Sequence, residues 1–342
     1  MVLSLSFVIK IIMSIPANKQ SIQVIYREIT QIIETARRLS VRAINSTMVR
    51  AYWNIGRIIV EEEQKGIERA EYGDLVICSL SGKLTEQYGK GFNERNLWYM
   101  RQFYLFFPNM NALRSELNWT HYRELLKIKN EAARNFYLHE TINSQWSTRE
   151  LERQINSLLY ERLLLSKNQK KVRELSTRGQ IIEKPEDAIK DPYVLEFLGL
   201  KENALYLERD IEKALIEKLK NFLLELGKGF SFVSRQKRIT VDGEHYYIDL
   251  VFYNYLLNCF FLIDLKVEKL THQDVGQMDF YVRYFEKEIK KQTDNPTIGL
   301  ILCSAKNEIM IKYTLLSESK QIFASKYKLY LPTEKELKKL AK

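Results

Sequence analysis

Near residue 230 the apolar residues of this chain change their spacing, and that change calls for two kinds of structure in one polypeptide. Ahead of it, hydrophobic positions recur every three or four residues, the period of a helix that buries one face. Ile22, Ile25, Ile29, Ile32 and Ile33 make one such stripe, and the pattern predicts helices over 20–39, 43–65, 71–87, 93–104, roughly 120–139 and 148–165. Asn93 suits an N-cap, its helix stops ahead of Pro108, and Ser147 with Glu150 forms a capping box for the last. A further amphipathic helix covers 205–226 and ends at Gly227, a natural C-cap. Beyond it the apolar residues alternate. Segments 230–240 and 244–253 read as strands joined by Asp242-Gly243, a dipeptide suited to the positive φ of a tight hairpin. Cys259–Lys266 and Thr297–Cys303 read as further strands with a helix at 271–289 between them, then an edge strand at 322–331 and a last helix at 334–341.

A chain of 342 residues can bury two cores. The polar, charged stretch 166–191, with Pro185 inside it and Pro192 just after, is read as the linker. It separates a helical domain at 20–165 from an α/β domain at 192–342, whose central sheet is mixed and flanked by helices. Residues 1–19 are read as an extension ahead of a second start at Met13. Lys10 interrupts the apolar run there, no basic segment or small-residue cleavage site accompanies it, and it is too short to span a bilayer. No other stretch reaches transmembrane length, so no membrane partner is expected. Cys78, Cys259 and Cys303 are far apart and odd in number, which argues against a disulfide framework or structural zinc and fits a reducing cytoplasm. His139, His245 and His272 lack metal-ligand spacing, and the Gly-Lys-Gly-Phe at 89–92 and 227–230 lacks that of a nucleotide loop.

Three charges interrupt strands that are otherwise apolar. Asp249 lies within Tyr247-Ile-Asp-Leu-Val-Phe252, and Asp264 and Lys266 lie within Phe260-Phe-Leu-Ile-Asp-Leu-Lys266. Asp264 and Lys266 point to one face of their strand, about 6–7 Å apart along it, and an adjacent antiparallel strand can bring Asp249 beside them. Burying these charges uncompensated is costly. A divalent cation held by the carboxylates would relieve that cost, polarise a phosphodiester and acidify an attacking water. A buried Asp–Lys ion pair, with Asp249 capping a turn, accounts for the same spacing.

Asp249, followed fifteen residues later by Asp264-Leu-Lys266, resembles the D…(D/E)xK signature of the restriction-endonuclease superfamily. The segments Leu223-Leu-Glu-Leu-Gly-Lys-Gly-Phe230, Arg235-Gln236, Thr271-His-Gln-Asp-Val-Gly-Gln-Met-Asp-Phe-Tyr281 and Ile298-Gly-Leu-Ile-Leu-Cys303 resemble the bacterial YhcG-like family. So do Tyr88-Gly-Lys-Gly-Phe92, Trp119-Thr-His-Tyr122 and Lys190-Asp-Pro-Tyr-Val-Leu-Glu-Phe-Leu-Gly199. That resemblance implies a helical, winged-helix-like nucleic-acid-binding domain followed by a PD-(D/E)xK nuclease domain. It implies Asp249 and Asp264 as metal ligands, with the Leu265 carbonyl, and Lys266 as the catalytic lysine. Glu212 matches the helical glutamate that completes such sites, and Gln277 with Tyr281 matches a Q-x-x-x-Y element. A solvated helix charge is the competing reading of Glu212, and a core position that of Tyr281. Ile248 stands where the motif has proline, and the second acid is Asp rather than Glu; both are compatible with metal binding.

The implied activity is Mg²⁺- or Mn²⁺-dependent hydrolysis of nucleic acid, DNA first, in a restriction or defence setting. Homodimers and defence-system proteins are the partners to consider. A silent nucleic-acid-binding or scaffold subunit and an RNA-directed nuclease are the alternatives. The net charge of +10 suits a polyanionic partner. The helix Arg95-Asn-Leu-Trp-Tyr-Met-Arg101, with Lys90, Arg123 and Lys127 near it in sequence, supplies the cations and aromatics of a recognition surface. An ordinary helix, with Leu97, Trp98 and Met100 in the core, explains the same residues.

Overall fold

In the computed structural model the described residues are 19–65, 72–165, 175, 177–200, 206–306, 316, 319–333 and 335–337. They divide into two compact units, Met1–Leu126 and Lys127–Lys342.

The first unit is built on α1 (Lys19–Lys65), a single helix of 47 residues where two were expected. Residues 40–42, Ser-Val-Arg, contain neither glycine nor proline to break it. Against its C-terminal half pack α2 (Tyr72–Tyr88), α3 (Glu94–Phe106) and α4 (Trp119–Leu125). Asn93 caps α3 as expected, accepting from Asn96 N at 2.9 Å. Ile59, Ile77, Leu97 and Met100 form a core, and the rings of Phe103, Phe107 and Tyr122 pack against one another, edge-on at Phe107 and tilted between Phe103 and Tyr122. Gly56 lies where the helices cross, since a Cβ there would fall 1.9 Å from the Met100 carbonyl oxygen. Among the described residues up to Leu126 there is no strand, so this part is helical without a β-wing.

The second unit begins with α5 (Glu131–Asn143), α6 (Thr148–Asn156) and α7 (Leu159–Leu165). The helix expected over 120–139 is therefore two, because Asn130 starts a new one by accepting from Ala133 N. The Ser147–Glu150 capping box is formed. After α8 (Pro185–Ala188) and β1 (Tyr193–Val194), the long helix expected to end at Gly227 is split at Lys218 into α9 (Glu208–Glu217) and α10 (Leu219–Leu226). Gly227 does cap it, at φ +110°. Then come β2 (Phe230–Val241), β3 (Glu244–Asn254), β4 (Cys259–Lys269), α11 (His272–Tyr284), β5 (Ile298–Ala305) and β6 (Ile322–Lys328). Asp242 and Gly243 turn the β2–β3 hairpin, both at positive φ. The sheet order is β1-β6-β5-β4-β3-β2, antiparallel across β2, β3 and β4 and parallel elsewhere. β6 is not the edge, since two-residue β1 pairs outside it. One apolar layer joins the sheet to α9 and α10, and the other joins it to α11. Most of the last expected helix lies outside the described residues, as does 166–174.

The division between the units falls at Leu126, ahead of the expected linker at 166–191. A buried charge cluster explains why α6 and α7 go with the sheet. Glu225 on α10 is fully buried and accepts from Arg162 on α7, from Arg153 on α6 and from the Val194 backbone N–H. Lys190, also buried, donates to the Glu225 carbonyl. Burial opposes ionisation of Glu225, but Arg162, Lys190 and Arg153 outweigh it and hold the carboxyl at about 2. Part of the predicted linker is thus packed into the second unit.

Replacing Glu225 with Gln strands these cations and is expected to lower stability by about 3–5 kcal/mol, as read by urea unfolding of the full chain at neutral pH. The depressed folded-state pKa also sets a pH window. The wild-type carboxylate contributes fully above about 4.5 and loses its contribution as pH falls towards about 2. Glu225→Gln should remove that portion of the acid sensitivity.

Candidate active site

The β3–β4 ladder runs from Asn254↔Cys259 to Leu250↔Ile263. Immediately past its last pair, the Leu265 N–H donates to Asp249 Oδ2 at 2.8 Å. A side chain has taken over from a backbone carbonyl, and this brings Asp249 beside Asp264. Leu262 lies on the face packed by α11, and Asp264 and Lys266 follow on that face by alternation. Lys266 Nζ is 3.0 Å from Asp264 Oδ2, 3.7 Å from Glu208 and 3.9 Å from Asp274.

α9 supplies the third acid. Glu212 is buried, not solvated, and Gln236 on β2 donates to its Oε2 at 2.8 Å and to Asp249 Oδ1 at 3.0 Å. The five residues Glu212, Gln236, Asp249, Asp264 and Lys266 therefore form one connected group. Gln277 and Tyr281 lie on α11, where Gln277 donates to the Tyr281 hydroxyl at 2.6 Å and that hydroxyl donates to the Tyr247 carbonyl at 2.8 Å. Tyr281 is fully buried in the α11 layer, so the core reading describes its ring. Burial, then the charge of Asp264, pushes its hydroxyl up to about 12.

Two carboxylate oxygens in this group, Asp264 Oδ2 and Glu212 Oε1, are buried, and only the first has a partner within hydrogen-bonding distance, the Lys266 ammonium. Lys266 meets the first as an ion pair, and the nearest cation to the second is Arg235 Nε at 3.8 Å. Asp264 is only 2% exposed, and burial, reinforced by Asp249, pushes its carboxyl up to about 7. Burial and Asp249 also raise Glu212. Burial works against the charge on Lys266, but Asp264, Glu208 and Asp274 outweigh it and keep it protonated. Among the described residues, no three His, Cys, Asp or Glu side chains stand grouped closely enough to hold a metal ion by themselves. Asp249, Asp264 and Glu212 are hard oxygen donors linked through Gln236 and the Leu265 N–H, the donor chemistry that suits a hard cation keeping part of its water shell.

Gln236 entered the sequence reading only within the Arg235-Gln236 resemblance and was given no role in the site. Its strand is mostly exposed and polar, so one more polar side chain carries no signal. Its backbone has φ +45°, a strained value for a non-glycine residue and one often found at functional sites.

In the first unit, Arg95 and Arg123 lie over the Tyr99 ring, with guanidinium carbons 5.8 and 4.8 Å from its centre. Arg101 stacks on Trp98 at 5.0 Å but is also bound to Glu63 at 2.7 Å, which neutralises it. Leu97 and Met100 are core, whereas Trp98 is 40% exposed. Lys90 sits on the single turn Lys90–Phe92, and Lys127 falls at the start of the second unit.

Residues 186–342 match the YhcG PDDEXK nuclease domain, and residues 28–162 match the DUF1016 N-terminal domain. The chain is 39% identical to YhcG of Escherichia coli (strain K12), whose naming as a nuclease is provisional, over 92% of both proteins. The chain belongs to the YhcG family. Within that family frame, the acids and lysine described above lie inside the segment that matches the nuclease domain. Two solved structures are also similar over part of the chain. One is a repair endonuclease from Pyrococcus abyssi, at 20% identity over 39% of this chain and 50% of that one, with a TM-score of 0.26. The other is EndoMS in its apo form, at 15% identity over 38% and 49%, also with a TM-score of 0.26.

Gln236→Ala should leave the carboxylates present but poorly aligned. Mn²⁺ affinity, measured by calorimetry on protein with native circular dichroism, is expected to fall about 10- to 100-fold, as for other groups that orient metal ligands. Unchanged affinity would remove Gln236 from that role.

Proposed function

We propose that this YhcG-family chain is a Mg²⁺- or Mn²⁺-dependent endonuclease acting on DNA. The observation that carries the reading is the buried Asp264, ion-paired at 3.0 Å to a protonated Lys266, with Glu212 and its unbonded Oε1 tied to neighbouring Asp249 through Gln236. An ion pair evolved only for stability leaves no reason for Glu212 to be drawn into the same group with an unsatisfied oxygen of its own.

Asp249, Asp264 and Glu212, with the Leu265 carbonyl, would hold the cation. When bound, it would polarise the phosphodiester and acidify the attacking water. Asp249 is fixed by two contacts, the Leu265 N–H and the Gln236 amide, so its geometry is set before substrate arrives. Lys266 presents an ammonium beside Asp264, suited to orienting the water and to stabilising charge that develops on the phosphorane. The Tyr281 proton is committed to the Tyr247 carbonyl, so the Gln277–Tyr281 pair positions the strand rather than donating a proton.

In the first unit, Arg95, Arg123, Trp98 and Tyr99 offer cations and an exposed ring, as a nucleic-acid contact requires. Among the described residues no helix is long and apolar enough to cross a membrane. Cys78, Cys259 and Cys303 are free thiols.

Asp249→Asn and Asp264→Asn are each expected to abolish metal-dependent cleavage and weaken Mn²⁺ binding, while DNA binding persists. Lys266→Ala should retain metal but lose about 10²–10³-fold in rate. Assays on duplex, single-stranded and branched DNA beside RNA, with melts with and without Mg²⁺, test both reaction and substrate. Folded variants that cut at the wild-type rate would sink the assignment, and preferential cleavage of RNA would move the substrate class.

On the Asp249→Asn background, binding should weaken steeply as salt rises. Arg95→Ala and Arg123→Ala should each reduce the salt slope by about one. Arg101→Ala, already paired with Glu63, should change it less. Equal effects of all three would contradict the surface described here.

A further inference from the structure

The N-terminal half of α1 carries an apolar face that no described residue covers. Ile22, Ile25, Tyr26, Ile29, Ile32, Ile33, Leu39 and Ile44 are all exposed, Ile32 by 68%. The segment's charged residues, including Arg27, Glu34, Arg37 and Arg38, lie off the centre of that face. Together these apolar side chains present on the order of 800 Å² per copy, the share each partner contributes to a standard protein–protein interface. Monomers rarely leave so large a contiguous apolar surface in water.

We infer that this face is a homodimer seam, in which α1 pairs antiparallel with α1 of a second copy. Positions 22, 25, 29, 32, 36, 39, 43 and 46 alternate steps of three and four, the coiled-coil repeat. The residues there are Ile, Ile, Ile, Ile, Ala, Leu, Ala and Ser, bulky in the first half and mostly small in the second. An antiparallel copy sets bulky against small: Ile22 against Ser46, Ile25 against Ala43 and Ile32 against Ala36, with Ile29 against Leu39. Parallel pairing would instead stack Ala36 on Ala36 and Ala43 on Ala43, leaving thin layers beside crowded ones. The seam is self-complementary, as a two-fold interface requires. An unrelated partner would not need this size gradient along the helix. The inference stands apart from the nuclease reading, because none of these residues belongs to the catalytic group.

Light scattering on the full chain at micromolar concentration should give twice 40.6 kDa. Ile29→Glu with Ile32→Glu should give the monomer mass, with near-ultraviolet circular dichroism retained because the aromatic core lies beyond residue 50. Arg38→Glu, on the opposite side of the helix, should remain dimeric. In a Cys78→Ser background, Ile22→Cys protein mixed with Ser46→Cys protein should form the 22–46 disulfide. A monomeric wild type, or a double variant that stays dimeric, overturns the seam. A 22–22 disulfide in place of 22–46 overturns the antiparallel register.

Discussion

A carboxylate removed from water has to be balanced by something, and the second unit does this in two different ways. Glu225 is balanced from within the chain: Arg162, Arg153 and the Val194 N–H satisfy its oxygens, and Lys190 adds a cation at its carbonyl. The result is a joint that ties α6 and α7 to the sheet. Asp264 and Glu212 are buried too, but Asp264 leans on Lys266 as its ion-pair partner and Glu212 keeps an oxygen without a hydrogen bond. Closed compensation marks a structural cluster, whereas partial compensation beside a lysine is what supports our proposal of a cation at the second group.

That second arrangement depends on where the sheet stops being regular. While β3 and β4 pair by backbone, their side chains feed the two apolar layers. Once the ladder ends, Asp249 replaces a backbone acceptor, and α9 brings Glu212 to Gln236 and Glu208 to Lys266. Gln236 then bridges helix and strand from a positive-φ backbone that costs a non-glycine residue energy. Site and strand ending are one feature of the fold.

The first unit divides its labour along one helix. The C-terminal half of α1 buries Trp53, Ile59 and Val60 in the helical core, and the N-terminal half projects an apolar stripe. The α3 face carries Trp98, Tyr99 and Arg95, so cationic and apolar surfaces occupy separate places on the same unit.

The change of apolar period was enough to read helices first and a sheet afterwards, and to place the Asp242-Gly243 turn. Asp249, Asp264 and Lys266 were legible because a charge stands out in an apolar strand. Local pattern could not fix breaks governed by single capping residues, such as Asn130, or show that nothing interrupts α1 at 40–42. It assigned 166–191 to a linker because the stretch is polar, although Lys190 is buried through a contact 35 residues away. Glu212 could not be told from Glu208 or Glu217 by sequence, since only packing against β2 buries one helix carboxylate and leaves others wetter. Gln236 could be given no role for the same reason: an amide acquires one only when two acids from distant segments arrive at it. The sequence by itself determined which residues could not stay neutral bystanders in a core. The tertiary structure alone decided which of them meet, because side-chain proximity across strands and helices is set by register and packing.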